Sequence, residues 1–307
     1  MRIGIHSSSR GASFADQMQL AVDAERFGLD SCWYGQIFGH DALTLAALAG
    51  RETSRIEIGT AVAQTHSRHP LHMAIQATTA QAAAGGRFTL GIGPSHGVLV
   101  QNMLGLPYEQ AAAHVREYLS VLVPLLKQGA VAFTGEKFRV AGALQIPDAK
   151  PCSVLISGLA PIMLRLAGEL ADGTMLAWTG PKTIAEHYIP KISAAAEAAG
   201  RERPRVCVLL PVVVTDDEAT ARQQAATTFE MYSRLPNYQR VLEREGAKTP
   251  ADLAMVGDEA SVERQLRALS DAGADDVIAW VYPVGQDQTM ERTWKFLGSL
   301  AGAMRAP

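Results

Sequence analysis

Residues 56–93 read IEIGTAVAQTHSRHPLHMAIQATTAQAAAGGRFTLGIG. A β-rich run opens the stretch, a helical run beginning at Pro70 fills its middle, and a second apolar run from Phe88 to Gly93 closes it. Two strands joined by a helix in this order make a βαβ unit, whose strands lie parallel. The fold turns on whether the unit repeats.

It repeats along the whole chain. RIGIHS (2–7) precedes SFADQMQLAVDAERFG, where Ser13 can cap and Phe14, Met18, Ala21 and Val22 share one face. SCWYG (31–35) precedes DALTLAALAGRE, and FTLGIG (88–93) precedes a longer loop and HVREYLSVLVPLLKQ, which Pro124 should kink or divide. SVLISG (153–158), GTMLAW (173–178), VCVLLPVVV (206–214) and DVIAWVYP (276–283) each lead into a further helical run. VAFTGEKFRV (131–140) breaks the rhythm and reads as a hairpin turning at Thr134-Gly135, inserted after strand four. Near-continuous Val, Ile and Leu in the later strands suits parallel strands covered on both faces. With IEIGTAVA (56–63) these runs make eight strand candidates, so the sequence predicts an α/β protein, a (β/α)8 TIM barrel forming a single domain over residues 1–307. A doubly wound sheet competes with it, because counting strands does not show closure.

Composition narrows the function. Apolar residues make up 48% of the chain and charged ones 19%, enough for a large core. A net charge of −3 gives no electrostatic footprint for nucleic acid or an anionic membrane. No run approaches the ~18 consecutive apolar residues of a membrane span, and MRIGIHSSSR lacks a signal peptide's apolar segment, so a cytoplasmic location is expected. Cys32, Cys152 and Cys207 are odd in number and form no C-x-x-C, which fits core fillers in a reducing compartment.

Three motifs invite chemistry. Gly93-Pro94-Ser95-His96-Gly97 matches the G-x-S-x-G elbow of serine hydrolases. That reading needs a late histidine, yet those after Ser95 are His96, His114 and His187, none in the final third of the chain. His66, His69 and His72 recur every third residue, but Pro70 prevents one helix from presenting all three, and no metal is expected. Gly91-Ile92-Gly93 fails as a dinucleotide fingerprint because the last position of G-x-G-x-x-G holds His96. In a barrel, ligands bind at the C-terminal ends of strands. Those ends carry His6, Gln36, Val62 to Thr65, Gly93 to His96, Ser157 to Ala160, Trp178 to Gly180 and Trp280 to Tyr282. Aromatics with few polar groups suit a flat cofactor better than a sugar or a metal.

With these ends assembled, the sequence resembles the luciferase-like monooxygenase superfamily, and within it the deazaflavin (coenzyme F420)-dependent oxidoreductases. GLDSCWYGQIFGHDALTLAALAGRETSRIEIGTAV, RHPLHMAIQATTAQAAAGGRFTLGIG, HVREYLSVLVPLL with the VAFTGEKFRV hairpin, and LRLAGELADGT carry the resemblance in order and spacing. It implies a bulge with a non-prolyl cis peptide at Ala61-Val62, pressing on the back of the deazaflavin ring. It implies coenzyme phosphate near Ser157, Gly158, Leu159 and Ala160 at a helix N-terminus, with a further tail contact at Thr179. The turn with Gly93, Ser95 and His96 would lie beside ring and substrate, so Ser95 is expected to line a cofactor rather than to belong to a triad.

The chain departs from the family pattern where many relatives carry Asp-His after strand two and a Glu after the strand-four turn. Here stand Gln36-Ile37 and His96. Sugar-phosphate oxidation is therefore disfavoured. Gln36 is expected to orient the ring or substrate, and His96 to exchange the proton. Trp178, Trp280 and Tyr282 are candidate pocket walls. The resemblance thus implies hydride transfer between F420 and a small-molecule substrate, with a homodimer left open. The alternatives are an FMN-dependent monooxygenase on the same fold and a non-catalytic cofactor-binding relative.

Overall fold

The computed structural model describes residues 1–7, 12–147, 150–285 and 289–305. Its strands are β1 (Arg2–Ser7), β2 (Ser31–Tyr34), β3 (Glu57–Thr60), β4 (Ala63–Gln64), β5 (Phe88–Gly93), β6 (Ala130–Thr134), β7 (Arg139–Ala143), β8 (Ser153–Ser157), β9 (Gly173–Ala177), β10 (Arg205–Val214), β11 (Met255–Gly257) and β12 (Asp276–Trp280). Eight of them run in the order β1-β2-β3-β5-β8-β9-β10-β12, and β12 pairs back with β1. All these pairings are parallel. Closure settles the competition with a doubly wound sheet: the fold is a (β/α)8 barrel.

Each stave alternates its side chains. In β1, Ile3 and Ile5 join the core under the helices, while Gly4 and His6 face the barrel interior. Trp33, Leu155, Met175, Cys207, Leu209 and Ile278 fill that interior as one buried apolar layer. Gly59 makes room for it, since a β-carbon there would lie 2.2 Å from Trp33 Cε3. Below this layer Arg205 donates to Glu57 (2.8 Å) and Asp276 (2.6 Å), closing the N-terminal end with ion pairs. Burial raises both carboxyl pKa values, but the guanidinium groups of Arg205 and Arg2 outweigh it at Glu57 and hold that one below its ordinary value. At Asp276, fully buried, burial wins and the pKa is raised.

Outside, the helices follow sequence signals. Ser13 and Asp16 form a reciprocal capping box at the start of the helix Phe14–Arg26. His69 caps the helix Pro70–Ala83, its Nδ1 accepting from Leu71 N at 3.3 Å, with Pro70 at the first helical position. The helix Ala111–Gln128 runs undivided through Pro124. Strands β6 and β7 pair antiparallel, Thr134 opposite Arg139, as the inserted hairpin. Cys32, Cys152 and Cys207 are free and buried. No helix among the described residues is long and apolar enough to cross a membrane.

The structure adds to the expected pattern at two places. The run 56–63 is two strands, β3 and β4, separated by Ala61 and Val62. The short β11 extends the sheet by pairing with Val212–Val214 at the far end of β10. The last stave also stops at Trp280 rather than Pro283.

Candidate functional site at the barrel mouth

The gap between β3 and β4 is a bulge that register makes plain. Gly59 pairs with Thr89 and Ala63 pairs with Ile92. Three residues (60–62) therefore span what two (90–91) span on β5, and one extra residue bends the strand. Thr60 bridges the missing ladder: its hydroxyl donates to Gly91 O (2.7 Å) and accepts from Gly91 N (3.0 Å). Gly91 is required there, because a β-carbon would lie 2.0 Å from Thr60 O. The Ala61–Val62 bond is cis, as the resemblance implied. Val62 turns towards β5, where Gly93 leaves it space; a β-carbon at Gly93 would sit 3.0 Å from Val62 Cγ2 and 3.4 Å from Ser157 Cβ. Ala61, Val62, Gly93 and Ser157 are thus neighbours on one side of the mouth.

The turn after β5 supplies the next element. Ser95 is held at φ 65°, a left-handed conformation that costs an L-residue about 1–2 kcal/mol. Its carbonyl accepts from the Tyr108 hydroxyl at 2.9 Å. Behind the turn, His66 stacks between Tyr108 (centroids 5.0 Å apart) and His114 (4.1 Å), and the Pro94 carbonyl accepts from His66. His66 is therefore a packing residue and His69 a capping one. His96 begins the helix Gly97–Leu104 and leaves its side chain uncommitted to capping. The His96 ring is half-buried, edge-on to Tyr238 at 5.8 Å, and burial lowers its pKa, so it is neutral at pH 7. Among the described residues no histidine hydrogen-bonds the Ser95 hydroxyl, and the arrangement lacks the base a serine nucleophile needs.

Beside the bulge stand the end of β2, which pairs with β3, and beyond it the end of β1. His6, the uppermost inward-facing residue of β1, packs on Trp280 with ring centroids 4.6 Å apart. Gln36 follows β2 directly; its Oε1 is buried with no partner, while its backbone carbonyl accepts from Gln64 Nε2 at 3.4 Å. The strand-end position of His6 predicts its place at the mouth but not a task for it. The alternation of RIGIHS, with Gly4 and His6 on one face, was the signal that could have marked it.

Across the barrel, Ser157, Gly158, Leu159 and Ala160 are half-buried between β8 and the helix Pro161–Leu170. Gly158 is needed against Met163, whose Cβ would lie 2.5 Å from a β-carbon. No side chain caps this helix; Pro161 has no N–H and Met163 N donates to Ala160 O, which leaves the Ile162 N–H of the first turn to face an anion. Thr179 is fully buried, and its hydroxyl donates to Ala177 O. The expected aromatic walls divide. Trp178, at φ 58°, is buried against Phe229 (4.9 Å) and Tyr232 (4.7 Å). Tyr282 is buried with its hydroxyl donating to Ala221 O at 3.1 Å. Only Trp280 of the three stays half-exposed at the mouth. Trp178 and Tyr282 support the wall from behind, because helices from the long segment after β10 cover them.

Taken together, the mouth carries two half-exposed or buried histidines, an amide, a Val-Gly platform and an uncapped helix start. This set can seat a flat, anionic-tailed ligand and hold a reacting group beside it. Residues 1–292 match the model of the luciferase-like monooxygenase family. The chain is 27% identical over 236 residues to the 5,10-methylenetetrahydromethanopterin reductase of Methanolobus tindarius, covering 76% of this chain and 72% of that one. It is 26% identical over 279 residues to the F420-dependent glucose-6-phosphate dehydrogenase of Nakamurella multipartita, covering 86% and 81%. The fold superposes on the coenzyme F420-dependent tetrahydromethanopterin reductase of Methanopyrus kandleri with a TM-score of 0.80 at 24% identity, over 97% of both chains. A family match over nearly the whole length, on a barrel whose mouth has this form, shows that the chain belongs to the luciferase-like monooxygenase family.

Proposed function

We propose that this protein is a deazaflavin-dependent oxidoreductase that passes a hydride between coenzyme F420 and a small organic substrate. The observation that carries the choice of coenzyme is the match along 86% of the chain to a relative named as F420-dependent. The mouth fits the group in three respects. Val62 and Gly93 form a close-packed platform that backs a flat ring. The uncapped start of the helix Pro161–Leu170, next to Ser157–Ala160, suits a phosphate. Buried acceptors at His6 and Gln36 await donors.

When bound, the coenzyme supplies the carbon that gives or takes the hydride. The remaining work falls to the chain. Gln36 orients the reacting groups by hydrogen bonding and cannot itself titrate at neutral pH. His96, neutral through burial, is the form of imidazole that accepts a proton from a substrate hydroxyl and returns it in the reverse direction. Ser95 and Gly93 shape the turn that holds His96 in place. Trp280 walls the mouth and Ala160 stands where the coenzyme tail is expected, whereas Thr179, fully buried with its hydroxyl on Ala177 O, is not open to the tail.

The test is a parallel titration of purified protein with F420 and FMN, followed by fluorescence. We expect F420 to bind more than about tenfold tighter than FMN, a difference of about 1.4 kcal/mol. Equal affinity, or tighter FMN, would replace this reading with the flavin-dependent monooxygenase.

A further inference from the structure

His6 is the buried titratable group at the mouth to which the reading above assigns no specific partner. It is only 8% exposed. The Ala61 carbonyl hydrogen-bonds its ring, and both His6 Nε2 and Ala61 O crowd Gly35, where a β-carbon would lie 2.8 Å and 3.4 Å from them. A carbonyl only accepts, so Nε2 carries the hydrogen and Nδ1 carries a bare lone pair. Trp280 covers the ring face at 4.6 Å. Among the described residues Nδ1 has no partner, although its environment excludes water. Buried polar groups are nearly always paired, so an orphan at a ligand mouth marks a place for the ligand. Burial lowers the ring's pKa to about 4, which keeps it neutral and the lone pair free at pH 7.

We propose that His6 is a fixed hydrogen-bond acceptor of this site, its Nδ1 receiving an O–H or N–H of the bound molecule. The inference rests on the proposed function for the identity of that molecule. Two donors share the required chemistry: the imide N–H of a flavin-like ring, and the hydroxyl of a neutral alcohol substrate. Gln36, the next residue after Gly35, presents a second buried acceptor from the adjacent strand. His6 acts here as a positioning residue: its Nε2–H is held by Ala61, so the bulge that backs the ring also sets the direction of the lone pair.

The test uses the full chain labelled with ¹⁵N-histidine, titrated with F420 and, in parallel, with FMN, then with propan-2-ol added to the loaded protein. We expect His6 to report an Nε2–H tautomer throughout and its Nδ1 resonance to move on binding. Movement with coenzyme alone assigns the donor to the ring; movement only after propan-2-ol assigns it to the alcohol. Binding of FMN in place of F420 overturns the coenzyme reading but leaves the His6 readout intact. An Nδ1 resonance that moves in neither step overturns the inference. Two variants give an independent check by affinity. His6→Gln retains an N–H towards Ala61 but loses the Nδ1 acceptor, and should weaken binding of the donor probe by about tenfold. His6→Asn puts an amide oxygen near the Nδ1 position and should restore binding to within about threefold of the parent. If either variant fails to fold, the spectrum of the parent protein still decides.

Discussion

Thr60→Val tests the bulge directly. Valine has nearly the shape of threonine, so the fully buried site keeps its packing and loses only the hydroxyl. That hydroxyl makes the 2.7 Å and 3.0 Å hydrogen bonds to the carbonyl and N–H of Gly91, where the bulge leaves the regular ladder. Each buried backbone group stripped of its partner costs about 1–3 kcal/mol. Two such groups should lower stability by about 2–6 kcal/mol. With an unfolding entropy of about 2.1 cal/mol/K per residue, each kcal/mol moves the midpoint of a chain this long by about 1.6 °C. The melting temperature should therefore drop by about 3–10 °C in calorimetry. Thr60→Ser keeps the hydroxyl and loses one methyl, so it should cost only about 0.5–1.5 kcal/mol. Because the bulge places Val62, Thr60→Val should also weaken F420 binding, whereas Thr60→Ser should not. A Thr60→Val protein that melts within about 1 °C of the parent, or above Thr60→Ser, would refute this account of what holds the strand.

Two further expectations separate roles at the mouth. His96→Ala should lower turnover about 100-fold or more with little change in coenzyme affinity, while Ser95→Ala should alter turnover far less; steady-state kinetics on both variants checks the ranking, and its reversal would restore a nucleophilic serine. Acid should destabilise the fold through His6: above pH 6.5 it is neutral folded or unfolded, and on acidification the unfolded chain takes the proton first, because the folded pKa is only about 4. Stability should thus fall between pH 6.5 and pH 4 by about 3 kcal/mol from this residue, and His6→Gln should flatten that part of a denaturant-melt pH profile.

Much of the barrel was legible because its signals are local. Runs such as RIGIHS, FTLGIG and SVLIS became strands with ends at or within a residue of those read from the sequence. What stayed hidden depends on partners far along the chain. The bulge at 60–62 is an offset between two strands, so IEIGTAVA shows a single β-rich run until β5 is laid beside it. The strand β11 has three residues and forms only because Val212–Val214 overhang the barrel. Trp178 and Tyr282 sit at strand ends, which marks them as mouth residues, but Phe229 and Tyr232 arrive from a segment whose exposed face reads as polar. His6 was visible as a residue and invisible as a site, since its lone pair is defined by the Ala61 carbonyl on another stave.

The ion pairs of Arg205 have a consequence for proton traffic. With Glu57 and Asp276 they seal one end of the barrel, and the apolar layer from Trp33 to Ile278 separates them from the mouth. The thiol in that layer, Cys207, has its pKa raised by burial and stays protonated, so it makes a poor relay. The barrel is a cup with a charged base and an insulating floor. Any proton consumed or released beside the bound ring must cross the rim, past His96 and Gln36, and the chemistry is coupled to solvent from that side.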